Sequence, residues 1–289
     1  MTSGVAALNI EIIRRAGKLI LALFPASLRS FAAARPASLR SFAAARPASH
    51  KPCPLTIPLQ PFLCNHSSLT PPRKSGMLPG MLAIDCIAVG PFAANCYLVR
   101  GSDRAAVLID PGAEDAAILA ALERRRLEVA AYLLTHGHTD HLSVLAELYA
   151  RRPAPYAMHE LDYRWAFTAA NQLPPYYPTP RQPPRPPIFL EDRQTWNPIP
   201  ELSFRILATP GHSPGGICAY LEAEGVIFTG DTLFHDAVGR TDLPGGNQVL
   251  LERSLKSLAQ LPPDTRIYPG HGPATTLAKE LRTNPYLAP

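Results

Sequence analysis

With 289 residues and an ordinary apolar share, the chain can bury one large core, or a core with an appendage. Its formal net charge of +5 misleads: residues 1–76 hold ten Lys/Arg against one acid, Glu11, which leaves 18 basic and 22 acidic residues for 77–289. The body is thus net acidic and has no basic stripe with interleaved aromatics, which excludes a nucleic-acid partner inferred from overall charge.

Within residues 1–76 the segment Ala26 to Pro36 recurs unchanged at Ala37 to Pro47, and Pro52, Pro54, Pro58, Pro61, Pro71 and Pro72 follow. Two identical copies are too few for a solenoid, and the prolines deny regular structure. Residues 1–76 are therefore expected to be a low-complexity, disordered extension, or upstream sequence ahead of a working start at Met77 or Met81. Targeting is the alternative: Arg14, Arg15 and Lys18 precede the apolar run Leu19 to Phe24, which is too short to span a bilayer, so no membrane partner is expected. Five cysteines (Cys53, Cys64, Cys86, Cys96, Cys218) lack C-x-x-C spacing and read as reduced thiols, consistent with a cytoplasmic setting.

From residue 77 onward the pattern changes. Ala83 to Val89 and Asn95 to Val99 read as a hairpin around Gly90-Pro91, and Ala105 to Ile109 as a third strand ending at Asp110-Pro111-Gly112. Ala117, Ile118, Ala121 and Leu122 have helical spacing, and a helix is also expected over Leu142 to Arg152. Eight prolines between Asn171 and Pro187 exclude helix and central strand. This rigid loop, carrying Tyr176 and Tyr177, is either a pocket overhang that touches substrate or a plain surface insertion. Strands followed by helices indicate a layered α/β body.

The apolar run Val129 to Leu134 reads as a buried strand, and directly after it comes Thr135-His136-Gly137-His138-Thr139-Asp140-His141. At the chain's own His and Asp frequencies this H-x-H-x-D-H pattern arises by chance in fewer than about one sequence in a thousand. Imidazole and carboxylate ligate Zn²⁺ and similar ions, and a turn aiming alternate side chains in different directions suffices for two of them. Three further strands, Phe204 to Ala208, Val226 to Phe228 and Thr265 to Tyr268, end in Gly/Pro-rich turns carrying His212, Asp231 and His271. Strand carboxyl ends are where α/β proteins collect their sites.

These residues resemble the metallo-β-lactamase superfamily, an α/β fold built as a four-layer αβ/βα sandwich, over about residues 81–289. Asp110, His136 to His141, His212, Asp231 and His271 match its five motif regions in order. Gly230 to Phe234, Gly239-Arg240-Thr241-Asp242 and Pro269 to Pro273 are similar to the glyoxalase II-like (hydroxyacylglutathione hydrolase-like) enzymes. The resemblance implies a hydrolase domain over 77–289 and two divalent ions, zinc first, with iron or manganese as alternatives. It implies that His136, His138 and His212 hold one ion, and Asp140, His141 and His271 the other. It further implies that Asp231 bridges them, that Asp140 and Asp231 are the catalytic carboxylates, and that Asp110 orients a ligand imidazole. Two cations about 3.5 Å apart bring a shared water to near-neutral acidity, so that hydroxide attacks a carbonyl. Acyl thioesters of lactoylglutathione type are the expected small-molecule substrates, because a thiolate leaves with little protonation.

Three relatives depart from this chain. Flavodiiron proteins place an acid where His138 stands, the commonest β-lactamases use Cys near Asp231, and true glyoxalase II has more chain after its last His than the eighteen residues here. The alternatives are a lactonase or ester hydrolase, a mononuclear iron persulfide dioxygenase favoured by Gly239 to Asp242, and a non-catalytic metal-stabilised module. Arg240 is expected either to bind a substrate carboxylate or to brace its loop by pairing with Asp242 or Asp236.

Overall fold

A computed structural model describes residues 82–101 and 103–287, all within one unit, Leu63–Pro289. The expectations for residues 1–76, including the duplicated segment, Cys53, Cys64 and the starts at Met77 and Met81, lie outside the described residues.

Six strands build the first sheet: β1 Ala83–Val89, β2 Ala94–Arg100, β3 Ala105–Ile109, β4 Glu128–Leu133, β5 Tyr156–Met158 and β6 Ile188–Phe189, adjacent in that order. β1 to β3 form an antiparallel meander, whereas β3 to β6 run parallel, joined through α1 Asp115–Arg125, α2 Leu145–Arg151 and α3 Glu160–Ala166. The second sheet holds β7 Thr195–Ile199, β8 Leu202–Ala208, β9 Ile217–Leu221, β10 Val226–Gly230, β13 Arg266–Pro269 and β14 Thr275–Thr276. A small hairpin, β11 Leu233–Phe234 and β12 Ala237–Val238, precedes α4 Gln248–Leu258, and α5 Leu277–Thr283 follows β14. Among the described residues no helix is long and apolar enough to cross a membrane.

Strand periodicity of two explains the layering, because successive side chains of a buried strand serve opposite faces. In β2 and β3, Cys96, Leu98, Ala106 and Leu108 pack with Ile118, Leu122, Leu145 and Leu148 of α1 and α2. Their neighbours Tyr97, Val99, Val107 and Ile109 face Phe204, Ile206, Ala219 and Phe228 of the second sheet. β9 repeats the alternation, with Cys218 and Tyr220 packed on Leu251 and Leu255 of α4 and on Leu277 of α5. Three apolar clusters thus separate four layers, helix, sheet, sheet, helix. This is the expected four-layer αβ/βα sandwich.

The helix expected over Leu142 to Arg152 starts later, at Leu145. Thr139–His141 forms its own helical turn, and Leu142, with φ −144°, breaks from it before α2 begins. Residues 171–187 contain no strand or helix beyond a turn at Asn171 and an isolated bridge between Leu173 and Tyr177, as their prolines require.

Candidate metal centre

β3 and β4 point the same way in one sheet, as do β8, β10 and β13 in the other, and the residues after their carboxyl ends converge. Asp110 follows β3 in a left-handed conformation (φ 53°), which a short polar side chain tolerates best. Its carboxylate accepts the Thr135 amide at 2.8 Å, the Thr135 hydroxyl at 2.6 Å and His141 Nδ1 at 3.1 Å. His136, His141 and His212 are buried, while His138, Asp140, Asp231 and His271 are half-buried and form the open side.

Candidate donor atoms fall into two separate triads, and a third group, Asp110, His136 and His141, shares a residue with each. His136, His138 and His212 present ring nitrogens within 4.8 Å of one another, as do the donors of Asp140, His141 and His271. Asp231 lies between them: one oxygen is 3.5 Å from His212 Nε2 and 3.6 Å from His271 Nε2, the other 3.4 Å from His141 Nε2. His136 Nε2 and Asp231 Oδ1 are buried without a hydrogen-bond partner, which a natural fold tolerates poorly unless the atoms serve a ligand.

Outer hydrogen bonds define which nitrogen each ring turns inward. His271 Nδ1 faces the Phe92 carbonyl at 3.0 Å and His212 Nδ1 the Arg240 carbonyl at 2.8 Å; a carbonyl only accepts, so both Nδ1 atoms carry the proton and both Nε2 lone pairs face the cluster. Asp110 does the same for His141. Thr135 gives its hydroxyl proton to Asp110 and accepts from His136 Nδ1 at 3.1 Å. His138 differs, turning Nδ1 inward, 2.8 Å from His212 Nε2. Neutral imidazoles and carboxylates converging from several sides are the donor set of a borderline divalent cation such as Zn²⁺, and the residues present fit one.

The two halves differ electrostatically. Burial, then the crowd of neighbouring imidazoles, holds His136 well below the ordinary histidine value, and burial with His212 brings His138 to about 3. Around His141 burial acts downward, but Asp231 and Asp140 outweigh it and push the ring up to about 10. Burial would raise the Asp140 carboxyl, yet His141 and His271 beside it hold it below the usual range. A proton on His141 competes with a cation until the pH rises through that raised value. Against the pull of burial, Asp140 and Asp231 raise His271 as well, so cation affinity at the His141 half is expected to rise more steeply with pH above neutrality than at the half of His136 and His138. Chelator competition against pH resolves the two; equal slopes would contradict the assignment.

Other expected site residues are placed more loosely. The Arg240 guanidinium pairs with Asp242 at 2.6 and 2.7 Å and is exposed, while its backbone carbonyl holds His212. Tyr176 is 56% exposed and packs its ring at a tilt 5.4 Å from that of Phe92, whose carbonyl faces His271. Tyr177 is buried, its ring 5.7 Å from Phe92. Sequence reasoning did not single out Phe92, Trp165 (ring 5.2 Å from that of His138) or the buried Asn95, Asp162 and Asn171. For Asn95 the signal was there: a lone polar residue inside an apolar strand.

An αβ/βα sandwich with an imidazole–carboxylate cluster at its strand ends has the construction of a metal-dependent hydrolase. The family model described as metallo-beta-lactamase superfamily matches residues 89–271, and the chain belongs to that superfamily. It is 34% identical over 212 residues to the hydroxyacylglutathione hydrolase GloC of Haemophilus influenzae, covering 71% of this chain and 97% of that one. Among solved structures it is similar to TTHA1623 in a di-iron-bound form (41% identity, TM-score 0.63, 70% of this chain and 100% of that one). It is also similar to the BLEG-1 B3 metallo-beta-lactamase (34% identity, TM-score 0.66, 72% and 100%).

Proposed function

We propose that this protein is a dinuclear metal-dependent hydrolase of acyl thioesters. The observation that carries the reading is Asp231, set between two separate donor triads and within 3.6 Å of a ring nitrogen from each. The relative named hydroxyacylglutathione hydrolase supports the thioester, and the neighbour solved with two irons supports the pair of ions. Zinc is the proposed occupant, with iron or manganese taking the same donors according to supply. Bound there, such ions supply Lewis acidity and an acidified water.

The chain's own residues do the rest. Four imidazoles have their outer nitrogens committed to Asp110, Phe92, Arg240 and Thr135, so with ions on their inward nitrogens those rings are not free to protonate a leaving group. A substrate whose leaving group departs as an anion suits such a site, and a thiolate, with a thiol pKa of about 8.5, does so far more readily than an alkoxide. Phe92 and Tyr176 form the proposed wall against which the substrate lies, with the buried Tyr177 behind Phe92. Cys96 and Cys218, buried thiols rather than disulfides, fit the proposed cytoplasmic setting.

Arg240 is the proposed contact for an anionic substrate group, reached by exchanging its exposed partner Asp242. Arg240→Ala is expected to raise KM for acidic thioesters about tenfold, equivalent to about 1.4 kcal/mol, with metal content unchanged. Equal losses toward charged and uncharged thioesters would return Arg240 to bracing its loop. The same assay tests the function itself, using a panel of acyl thioesters, lactones and β-lactams on the metal-loaded chain. The β-lactam arm covers a second reading, favoured by the BLEG-1 similarity. Turnover of lactams or lactones with none of thioesters would overturn the proposal.

A further inference from the structure

We infer that the two halves of the cluster are held by two separate clamps, and that Asp162 and Asn95 are positioning residues for one half each. The inference rests on the dinuclear reading for its meaning, though not for its geometry.

Asp162 lies on α3, fully buried, far in sequence from the segments that it holds. Its Oδ2 accepts the Gly137 amide at 2.8 Å and the Ser213 hydroxyl at 2.7 Å, and its Oδ1 accepts the Gly215 amide at 2.6 Å. Gly137 stands between His136 and His138, and Ser213 follows His212. One carboxylate therefore joins the two loops that carry all three imidazoles of that half. Asn171 adds a second hold, its Nδ2 donating to the Gly137 carbonyl at 2.7 Å and to the Ala166 carbonyl at 2.6 Å. The approach is close: a Cβ on Gly137 would meet the Trp165 ring at 3.0 Å and Asp162 Cβ at 3.1 Å, and one on Gly215 would sit 2.7 Å from the Asp162 amide nitrogen.

Asn95 makes a narrower clamp from β2 in the first sheet, holding the loop of one member of its half, His271. Its side-chain nitrogen donates to the Pro269 carbonyl at 3.0 Å and the Gly272 carbonyl at 2.8 Å, and its backbone amide donates to the Gly270 carbonyl at 2.7 Å. These three carbonyls flank His271, and the Tyr97 hydroxyl donates to the first of them at 2.7 Å. Among the described residues, Asp162 makes no hydrogen bond to the His271 loop, and Asn95 makes none to residues 135–138 or 212–216.

Groups that orient a metal's ligands typically govern its affinity by about 10–100-fold, and Asp162 and Asn95 orient the loops that carry candidate ligands, so separate clamps imply separable affinities. The test crosses each clamp with a background in which only one half keeps its ligands. In the full chain carrying His271→Ala, Asp162→Ala is expected to weaken zinc binding at least tenfold, measured against a chromophoric chelator, while Asn95→Ala leaves it within twofold. In a His212→Ala background the pattern reverses. Ser213→Ala, which removes a single donor to Asp162, should give a smaller loss in the same direction and guards against misfolding, as does a thermal melt of every variant. Amide hydrogen exchange on chelated protein reads the clamps without any metal: Asp162→Ala should speed exchange in 135–138 and 212–216 and spare 269–272, and Asn95→Ala the converse. A wild-type chain that binds no second ion but shows this crossed exchange would sink the dinuclear reading and keep the clamps. Uniform effects of either substitution, on both halves in both measurements, would overturn the inference.

Discussion

Asp231→Ala is expected to lower kcat/KM toward thioesters by about 10²–10⁴-fold and to reduce the number of tightly held ions. The magnitude follows from its shared position. Loss of a single orienting partner at a metal site costs about 10–100-fold, and a ligand set between two triads is felt at both, so the penalties multiply to about 10²–10⁴. The carboxylate is 3.4 to 3.6 Å from ring nitrogens of His141, His212 and His271, and Gly270 leaves it room: a Cβ there would lie 2.2 Å from Asp231 Oδ1. Asp231 sits after β10 rather than in the apolar clusters, so the variant should fold with a melting temperature close to wild type. Steady-state kinetics with elemental analysis checks this. Full activity with a normal metal count would remove Asp231 from the site.

Asp110→Ala is expected to damage both stability and metal affinity. The carboxylate is buried and takes three donors, the Thr135 amide, the Thr135 hydroxyl and His141 Nδ1. Stranding them costs about 3 kcal/mol, which lowers the melting temperature of a chain this size by roughly 10 °C. Freed from Asp110, His141 is also able to hold its proton on the inward nitrogen, and affinity at its half should fall about 10–100-fold. Asp110→Asn separates the two effects: it keeps one acceptor for Thr135, so stability should partly recover while metal affinity does not. Recovery of both together would show that Asp110 acts only as a structural brace.

The clustering of the candidate donors was legible because its signal is local. His136 to His141 crowd into six residues, and Asp110, His212, Asp231 and His271 each follow an apolar run long enough to read as a strand. β3, β4, β8, β10 and β13 were legible for the same reason. β6, β11, β12 and β14 were not, since two residues carry no period. Nor was the true start of α2, because apolar Leu142 and Val144 fit a helix pattern while the preceding turn at Thr139–His141 takes the backbone elsewhere. Asp162 left no sequence motif, and Asn95 only a polar residue inside an apolar strand, with nothing to say what it holds. Each acts on backbone groups, at separations of 25 to 177 residues, and a peptide N–H or C=O looks alike whatever its side chain. Aromatic residues followed the same rule. Tyr176 and Tyr177 stood out inside a proline run, whereas Phe92 gained its place beside His271 only through the hairpin that carries it.

The most direct measurement of the central claim is a metal titration of chelated protein, following ions bound per chain and thioester turnover in the same samples. Two donor triads sharing Asp231 call for about two ions per chain, with turnover rising mainly as the second enters and with Asp140→Ala or His271→Ala stopping at one. Saturation of turnover at one tightly held ion per wild-type chain would contradict the dinuclear account.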